Sequence, residues 1–167
     1  NYISPETSNL PAWSIPLPGV YTLSTDPYVI VYNKILLPPG QWPKSFTDIY
    51  NLVKADPSKF NKRIATLRPM TNSNIQSNNA HYIDHIGEKK ILEMFNFLGP
   101  MSDLYRSAGP IFEKITTGEY LAAYSVSVVQ LLPLLEDPNR AAILGWAFPT
   151  DGTMLMMRHA AITADAK

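Results

Sequence analysis

The apolar positions of the chain switch repeatedly between the short runs of buried strands and the stripes of amphipathic helices. Tyr28–Tyr32 is a β-branched and aromatic run, which predicts a buried strand. Ile49, Leu52 and Val53 then recur at helical spacing, and Ser45, with an acidic residue three positions after it, marks the predicted start of that helix. The pattern therefore opens with a strand followed by a helix.

The same alternation continues along the rest of the chain. Gly99-Pro100 is predicted to end one helix, and Pro133 to distort another. Strands alternating with helices predict an α/β fold, a layered αβα sandwich. The further predicted strands are Arg63–Leu67, Leu121–Val126, Ala142–Phe148 and Thr153–Ala161, and the further predicted helices run from Thr71–Asn74 to His85 and over Glu88–Leu98, Pro110–Thr117 and Ser127–Leu135.

Residues 1–25 contain several prolines, each of which disfavours helix in the residue before it. This segment is predicted to be extended or in turns, with a short strand at Val20–Leu23.

Composition excludes several classes of protein. At 167 residues and 46% apolar content the chain is long enough for one domain with a buried core. Lys and Arg number 14, as do Asp and Glu, so no electrostatic signal for nucleic acid or an anionic membrane is present. The absence of cysteine excludes disulfides and thiolate chemistry.

Polar residues follow two of the predicted strands. Thr71, Asn72 and Ser73 open a predicted helix, where backbone amides and hydroxyls bind anions. Ser125 and Ser127 lie where a strand gives way to a helix, and ligands of open α/β sheets bind at the carboxyl ends of strands. Because the same residue types are the usual helix N-caps, simple capping explains both groups equally well.

No catalytic or metal-binding constellation is recognisable. His81 and His85 have i,i+4 spacing, but the glutamate of the H-E-x-x-H motif and a third ligand are missing, which favours a solvated helix face. Thr150-Asp151-Gly152 predicts a turn. The motifs of nucleophilic and phosphate-cradling enzymes are absent. We therefore expect no catalytic residue, no metal, no cofactor and no enzymatic activity.

Four passages, taken in order, resemble the bacterial extracellular solute-binding proteins of ABC importers, in their iron(III)-type branch, family 1. The resemblance covers roughly residues 20–165. Its passages are Tyr32–Ile49 with Y-N-K and P-K-S-F-T-D-I, Lys62–Ala65 with K-R-I-A, Phe112–Ser125 with G-E, and Trp146–Thr153 with P-T-D-G-T.

In that branch the middle of the chain forms most of the second lobe of a two-lobed clamshell, the type II periplasmic-binding-protein fold. The resemblance implies that this chain is the second lobe only: an extended N-terminal crossing segment over residues 1–25, a single α/β ligand-binding lobe over residues 26–160, and a C-terminal crossing segment over residues 161–167. Thr25, at the outward crossing, joins the candidate ligand-binding residues. The implied partners are a small-molecule solute, the missing first lobe and an ABC permease, with no nucleic acid.

The chain departs from the iron-binding members at one place. Those proteins carry two adjacent tyrosines after the G-E passage, where this chain has Ser127, Val128 and Val129. Valine cannot coordinate a metal. The resemblance therefore implies reversible capture of a small anionic solute or a metal-anion complex in an interlobe cleft, in a periplasmic protein secreted by a signal peptide outside this chain.

Two other functions remain compatible with the sequence. One is the effector-binding domain of a transcriptional regulator, which uses a similar α/β architecture. The other is a lobe of an enzyme whose catalytic groups lie outside this chain.

Overall fold

The computed structural model describes residues 2–163 and divides the chain into two compact units, Pro27–Met154 and the described residues of 1–26 and 155–167. The strands are β1 (Val20–Asn33), β2 (Ile64–Leu67), β3 (Ser102–Tyr105), β4 (Ala122–Ser127), β5 (Leu144–Ala147) and β6 (Leu155–Ala161). The helices are α1 (Phe46–Ala55), α2 (Pro57–Phe60), α3 (Ser73–Ile86), α4 (Glu88–Met101), α5 (Gly109–Thr116), α6 (Val128–Leu131) and α7 (Pro138–Ile143). No helix of residues 2–163 is long and apolar enough to cross a membrane.

The larger unit, Pro27–Met154, is built on a mixed sheet with the strand order β3-β2-β4-β1-β5. β2 pairs in parallel with β3 and with β4, whereas β1 is antiparallel to β4 and β5. Because β2, β3 and β4 run in one direction, Leu67, Tyr105 and Ser127 end them at the same side of the sheet. We call this side the carboxyl end of the sheet.

Helices flank the sheet and cover its apolar side chains. Phe46 of α1 stacks on Tyr82 of α3 with the ring centroids 4.8 Å apart, and it meets Tyr124 of β4 at 5.1 Å. The Ser45 hydroxyl accepts the N–H of Asp48 at 2.9 Å, so α1 begins where the sequence predicted. The predicted α/β fold class is confirmed.

The predicted end of α4 is wrong. The helix runs through Gly99 and Pro100 to Met101, and β3, which the sequence did not predict, follows directly. Pro100 removes one N–H donor, but the Ser102 hydroxyl donates to the Leu98 carbonyl at 2.7 Å and satisfies part of the last turn. Tertiary pairing of β3 with β2 therefore overrides the local stop signal.

The two strands predicted at Val20–Leu23 and Tyr28–Tyr32 are one continuous strand, β1. Proline is tolerated within a strand where its missing N–H is not needed for the ladder, so Asp26-Pro27 does not break it.

The smaller unit contains the beginning of β1 and β6, which pairs with it. Arg158 donates to the buried Asp26 carboxylate at 2.8 Å. Two short 3-10 helices, Pro5–Asn9 and Ala12–Ser14, lie in the segment that was predicted to be extended or in turns. The domain boundaries after residues 25 and 160 stay a prediction, and residues 164–167 of the predicted C-terminal segment lie outside the described residues.

Candidate functional site

Ser125 connects the end of β4 to α3. The Asn78 side-chain amide donates to the Ser125 hydroxyl at 2.7 Å, and both residues are buried. Ser125 has a φ of +57°, a left-handed conformation that costs a non-glycine residue about 1 kcal/mol or more. A strained serine next to a buried amide is a feature that the surrounding fold must hold in place.

Two polar atoms beside Ser125 make no hydrogen bond of good geometry within the described part of the chain. They are the Asn78 Oδ1 and the Tyr82 hydroxyl, both shielded from solvent. Burial raises the pKa of Tyr82, and the nearby Asp151 carboxylate raises it further, while Ser125 and Asn78 act in the opposite direction. The Tyr82 phenol is therefore neutral at physiological pH and can donate a hydrogen bond.

Ser127 ends β4 and begins α6. Its hydroxyl accepts the N–H of Gln130 at 3.4 Å, so the capping explanation accounts for one contact of this side chain. Tyr28 of β1 is its partner in the antiparallel register. Val129, one of the two valines in place of the tyrosine pair, is 46% exposed beside this cap.

The Thr71–Ser73 corner lies at the start of α3. Asn72 caps the helix, because its side-chain oxygen accepts the N–H groups of Asn74 at 3.0 Å and Ile75 at 3.3 Å. Thr71 and Ser73 are exposed. Six residues separate Asn72 from Asn78, roughly 9 Å along the helix. Ser125, Asn78 and Tyr82, which we call the Ser125 group, are thus at the same end of the sheet as this corner.

Thr25 lies in the first part of β1, within the smaller unit, and is half-buried. Its contact with a ligand stays a prediction.

The Pro149–Thr153 turn supports α1. The Asp151 carboxylate accepts the N–H groups of Phe46 and Thr47, both at 2.8 Å, and the Thr47 hydroxyl at 2.7 Å. Gly152 has a φ of +137°, and a Cβ there would come within 3.3 Å of the His85 Cβ. The D-G-T motif therefore fastens this turn to α1 and places it against α3.

His81 and His85 pack against each other, with ring centroids 4.0 Å apart. The pKa of His81 is lowered, first by burial and then by the neighbouring His85. No group of three potential metal ligands occurs among the residues that the structure describes.

Sequence reasoning missed two arginines at the carboxyl end of the sheet. Arg68 follows β2 directly, and Arg106 follows β3 directly. A basic residue directly after each of two neighbouring strands is a pattern that the sequence can show. It was missed because β3 was not predicted.

By sequence, the chain matches no protein-family model and no curated protein. By structure, it is similar to the substrate-binding protein of an ABC transporter from Agrobacterium tumefaciens, with a TM-score of 0.81 and 18% identity over 98% of this chain and 47% of that one. Iron-bound HitA from Pseudomonas aeruginosa has a TM-score of 0.77 and 16% identity, over 100% of this chain and 53% of that one.

A third similar structure is the periplasmic binding protein AfuA from Actinobacillus pleuropneumoniae with fructose-6-phosphate bound, at a TM-score of 0.74 and 18% identity over 99% of this chain and 52% of that one. The chain thus spans about half the length of the structures it matches. The resemblance found in the sequence is confirmed at the level of the fold.

Proposed function

We propose that this chain is the ligand-gripping second lobe of the solute-binding component of an ABC transport system. The main support is that almost the whole chain superposes on about half of several binding proteins of that kind. Further support comes from the carboxyl end of the sheet, where the Thr71–Ser73 corner and the Ser125 group converge, because ligands of open α/β sheets bind there.

Reversible capture would follow from closure of two lobes around the solute. The first lobe of the same protein would supply the other wall of the cleft, and an ABC permease would receive the solute from the closed protein. Such a protein would act in the periplasm and would bind its solute without transforming it.

The captured solute is a small anion or a metal-anion complex. Support comes from the donors at the start of α3, where Thr71 and Ser73 leave their hydroxyls accessible and Asn72 anchors the helix. Val128 and Val129 argue against direct coordination of iron, because neither side chain can act as a ligand. The proposed contacts are Thr71, Asn72, Ser73, Ser125, Ser127 and Thr25.

Ser125 and Ser127 play different parts in this proposal. The Ser125 hydroxyl accepts the Asn78 amide at 2.7 Å, so it positions α3 and keeps its remaining hydrogen-bonding capacity for the solute. Ser127, at the start of α6, is itself buried, two residues before the exposed Val129, and supplies the contact from the end of β4.

A solute screen on the full-length protein by thermal shift tests the proposal. We expect a saturable rise in melting temperature with an anionic solute and recovery of that solute unchanged. Chemical conversion of the solute would contradict it and favour the enzyme lobe. Solute-dependent binding of the full-length protein to DNA would favour the transcriptional regulator.

A further inference from the structure

Arg68 and Arg106 are neighbours at the carboxyl end of the sheet. Leu67 and Tyr105 are paired in the parallel register, so the two arginines occupy the next position on adjoining strands. The Arg68 backbone N–H donates to the Tyr105 carbonyl at 2.7 Å, which holds the ends of β2 and β3 together.

Neither guanidinium has a hydrogen bond or an ion pair within residues 2–163. The other arginines are engaged: Arg63 donates to the Gly118 and Glu119 carbonyls, Arg140 pairs with Glu113, and Arg158 pairs with Asp26. The two arginines with unused donors are therefore the two that lie side by side.

The chain segments that carry the two arginines contain no acidic residue close in sequence after Arg68 or Arg106. No acidic residue occurs between Asp56 and Asp84, or between Asp103 and Glu113. The 14-residue helix α3 also begins here with no acidic residue in its first turn, so its positive dipole end adds to the potential.

A cavity of about 260 Å³ is lined by residues next to Arg68, at the end of β2, and by Leu104 of β3, two residues before Arg106. Its wall includes Leu67 and Pro69, the residues on either side of Arg68. Side chains of a strand alternate between faces, and Arg68 is extended with φ −74° and ψ 114°, so it is on the face that carries Thr66. The other wall residues are the polar Thr66 and Asn79 and the mostly apolar Ile75, Phe95, Gly99, Leu104 and Tyr124, so the cavity is largely apolar with two polar side chains.

We propose that Arg68 and Arg106 bind the oxyanion of a small organic acid or phosphate ester whose apolar group fills this cavity. The inference rests on the proposed function, since it names the ligand class of the same end of the sheet. Guanidinium groups match carboxylate and phosphate oxygens with paired donors, and the cavity is large enough for a single aromatic or short aliphatic group.

Isothermal titration calorimetry of the protein with phenyl phosphate tests this site. We expect saturable binding that Arg68→Gln and Arg106→Gln each weaken about tenfold or more, as expected for loss of a charge-assisted hydrogen bond. Lys89→Gln is the matched control, because it removes a positive charge roughly 15 Å along α4 from Gly99 and should leave the affinity unchanged.

A second variant tests the cavity separately from the charge. A Cβ added at Gly99 meets no atom within 4 Å, so Gly99→Leu extends into open space next to the cavity. We expect Gly99→Leu to weaken phenyl phosphate but not inorganic phosphate, with an unchanged circular dichroism spectrum. Benzoate in place of phenyl phosphate distinguishes carboxylate from phosphate ligands, and benzyl alcohol should not bind.

The inference is overturned if phenyl phosphate and benzoate do not bind, or if the double variant Arg68→Gln, Arg106→Gln binds them as tightly as the unchanged protein. If Gly99→Leu weakened the binding of inorganic phosphate and of phenyl phosphate equally, the placement of an apolar group in the cavity would be wrong. The proposed function survives these outcomes if the full-length protein still captures another solute, and it fails on its own if a solute is converted.

Discussion

At the scale of single residues, the serines and aspartates near the candidate site do structural work that their positions in the sequence do not reveal. Ser125 of β4 accepts the side-chain amide of Asn78 in α3, and Asp151 accepts three hydrogen bonds from the start of α1. These two motifs thus fix one element against another. The proposed binding residues at this end of the sheet lie next to these contacts.

Substitutions of Ser125 test the backbone strain. We expect Ser125→Ala to destabilise the protein by roughly 1–3 kcal/mol, because the strain remains while the buried Asn78 amide loses its acceptor. Ser125→Gly loses the same hydrogen bond but accepts φ +57° freely, so it should be about 1 kcal/mol more stable than the alanine variant. Urea unfolding measures both, and equal stabilities would contradict the strained conformation.

Asp151→Ala removes three acceptor contacts from the first turn of α1. We expect a loss of roughly 1–2 kcal/mol in the free energy of unfolding, as for other helix caps. Glu136→Gln removes a carboxylate charge at an exposed residue and serves as the control, with a change below about 0.5 kcal/mol. An equally small loss for Asp151→Ala would show that the turn does not support α1.

Protonation of His81 should destabilise the fold. Its pKa is lowered in the folded protein by burial and by His85, with Asp84 acting in the opposite direction. The unfolded chain therefore binds a proton below about pH 6.5 while the folded chain does not, so stability falls as the pH drops through that value. In His81→Gln, the dependence of unfolding free energy on pH between 7.5 and 5.5 should be shallower. An unchanged slope would contradict this assignment.

At the scale of elements, helix starts were predicted well and strand content less well. Ser45, Asn72 and Gly87 mark the ends of α1 and α3 as their local chemistry predicts, because caps act through hydrogen bonds within a few residues. β3 was missed because Ser102–Tyr105 has no alternating pattern of its own and is stabilised by pairing with β2. Arg106 could not be placed for the same reason.

Two glycines, Gly87 directly before α4 and Gly99 inside it, test the bounds of this helix. Gly99 lies inside the helix with open space around it, so Gly99→Ala should stabilise the protein by roughly 0.5–1 kcal/mol. Gly87 has a φ of +95°, and Gly87→Ala should destabilise it by about 1 kcal/mol. Thermal unfolding of the two variants should move in opposite directions, and a loss of stability in Gly99→Ala would show that α4 ends earlier.

At the scale of the whole molecule, the fold was recognisable from the sequence because four family-like passages fall in order along it. The structures that the chain resembles are about twice as long, and the proposed function assigns the second wall of the cleft to a first lobe. The proposed contacts of Thr71, Ser127 and Thr25 with a solute would be completed by that wall. The sequence predicted most of the strands and helices around the proposed site but not its ligand. Specificity is a difference in affinity between ligands, and it depends on contacts from both sides of a cleft.

The most direct test of a solute-binding lobe is the backbone amide NMR spectrum of the full-length protein during titration with a solute identified by thermal shift. We predict saturable shifts concentrated at residues 68–74 and 125–129, at the carboxyl end of the sheet, with the solute recovered unchanged. Shifts confined to other parts of the lobe, or conversion of the solute during the titration, would contradict the account.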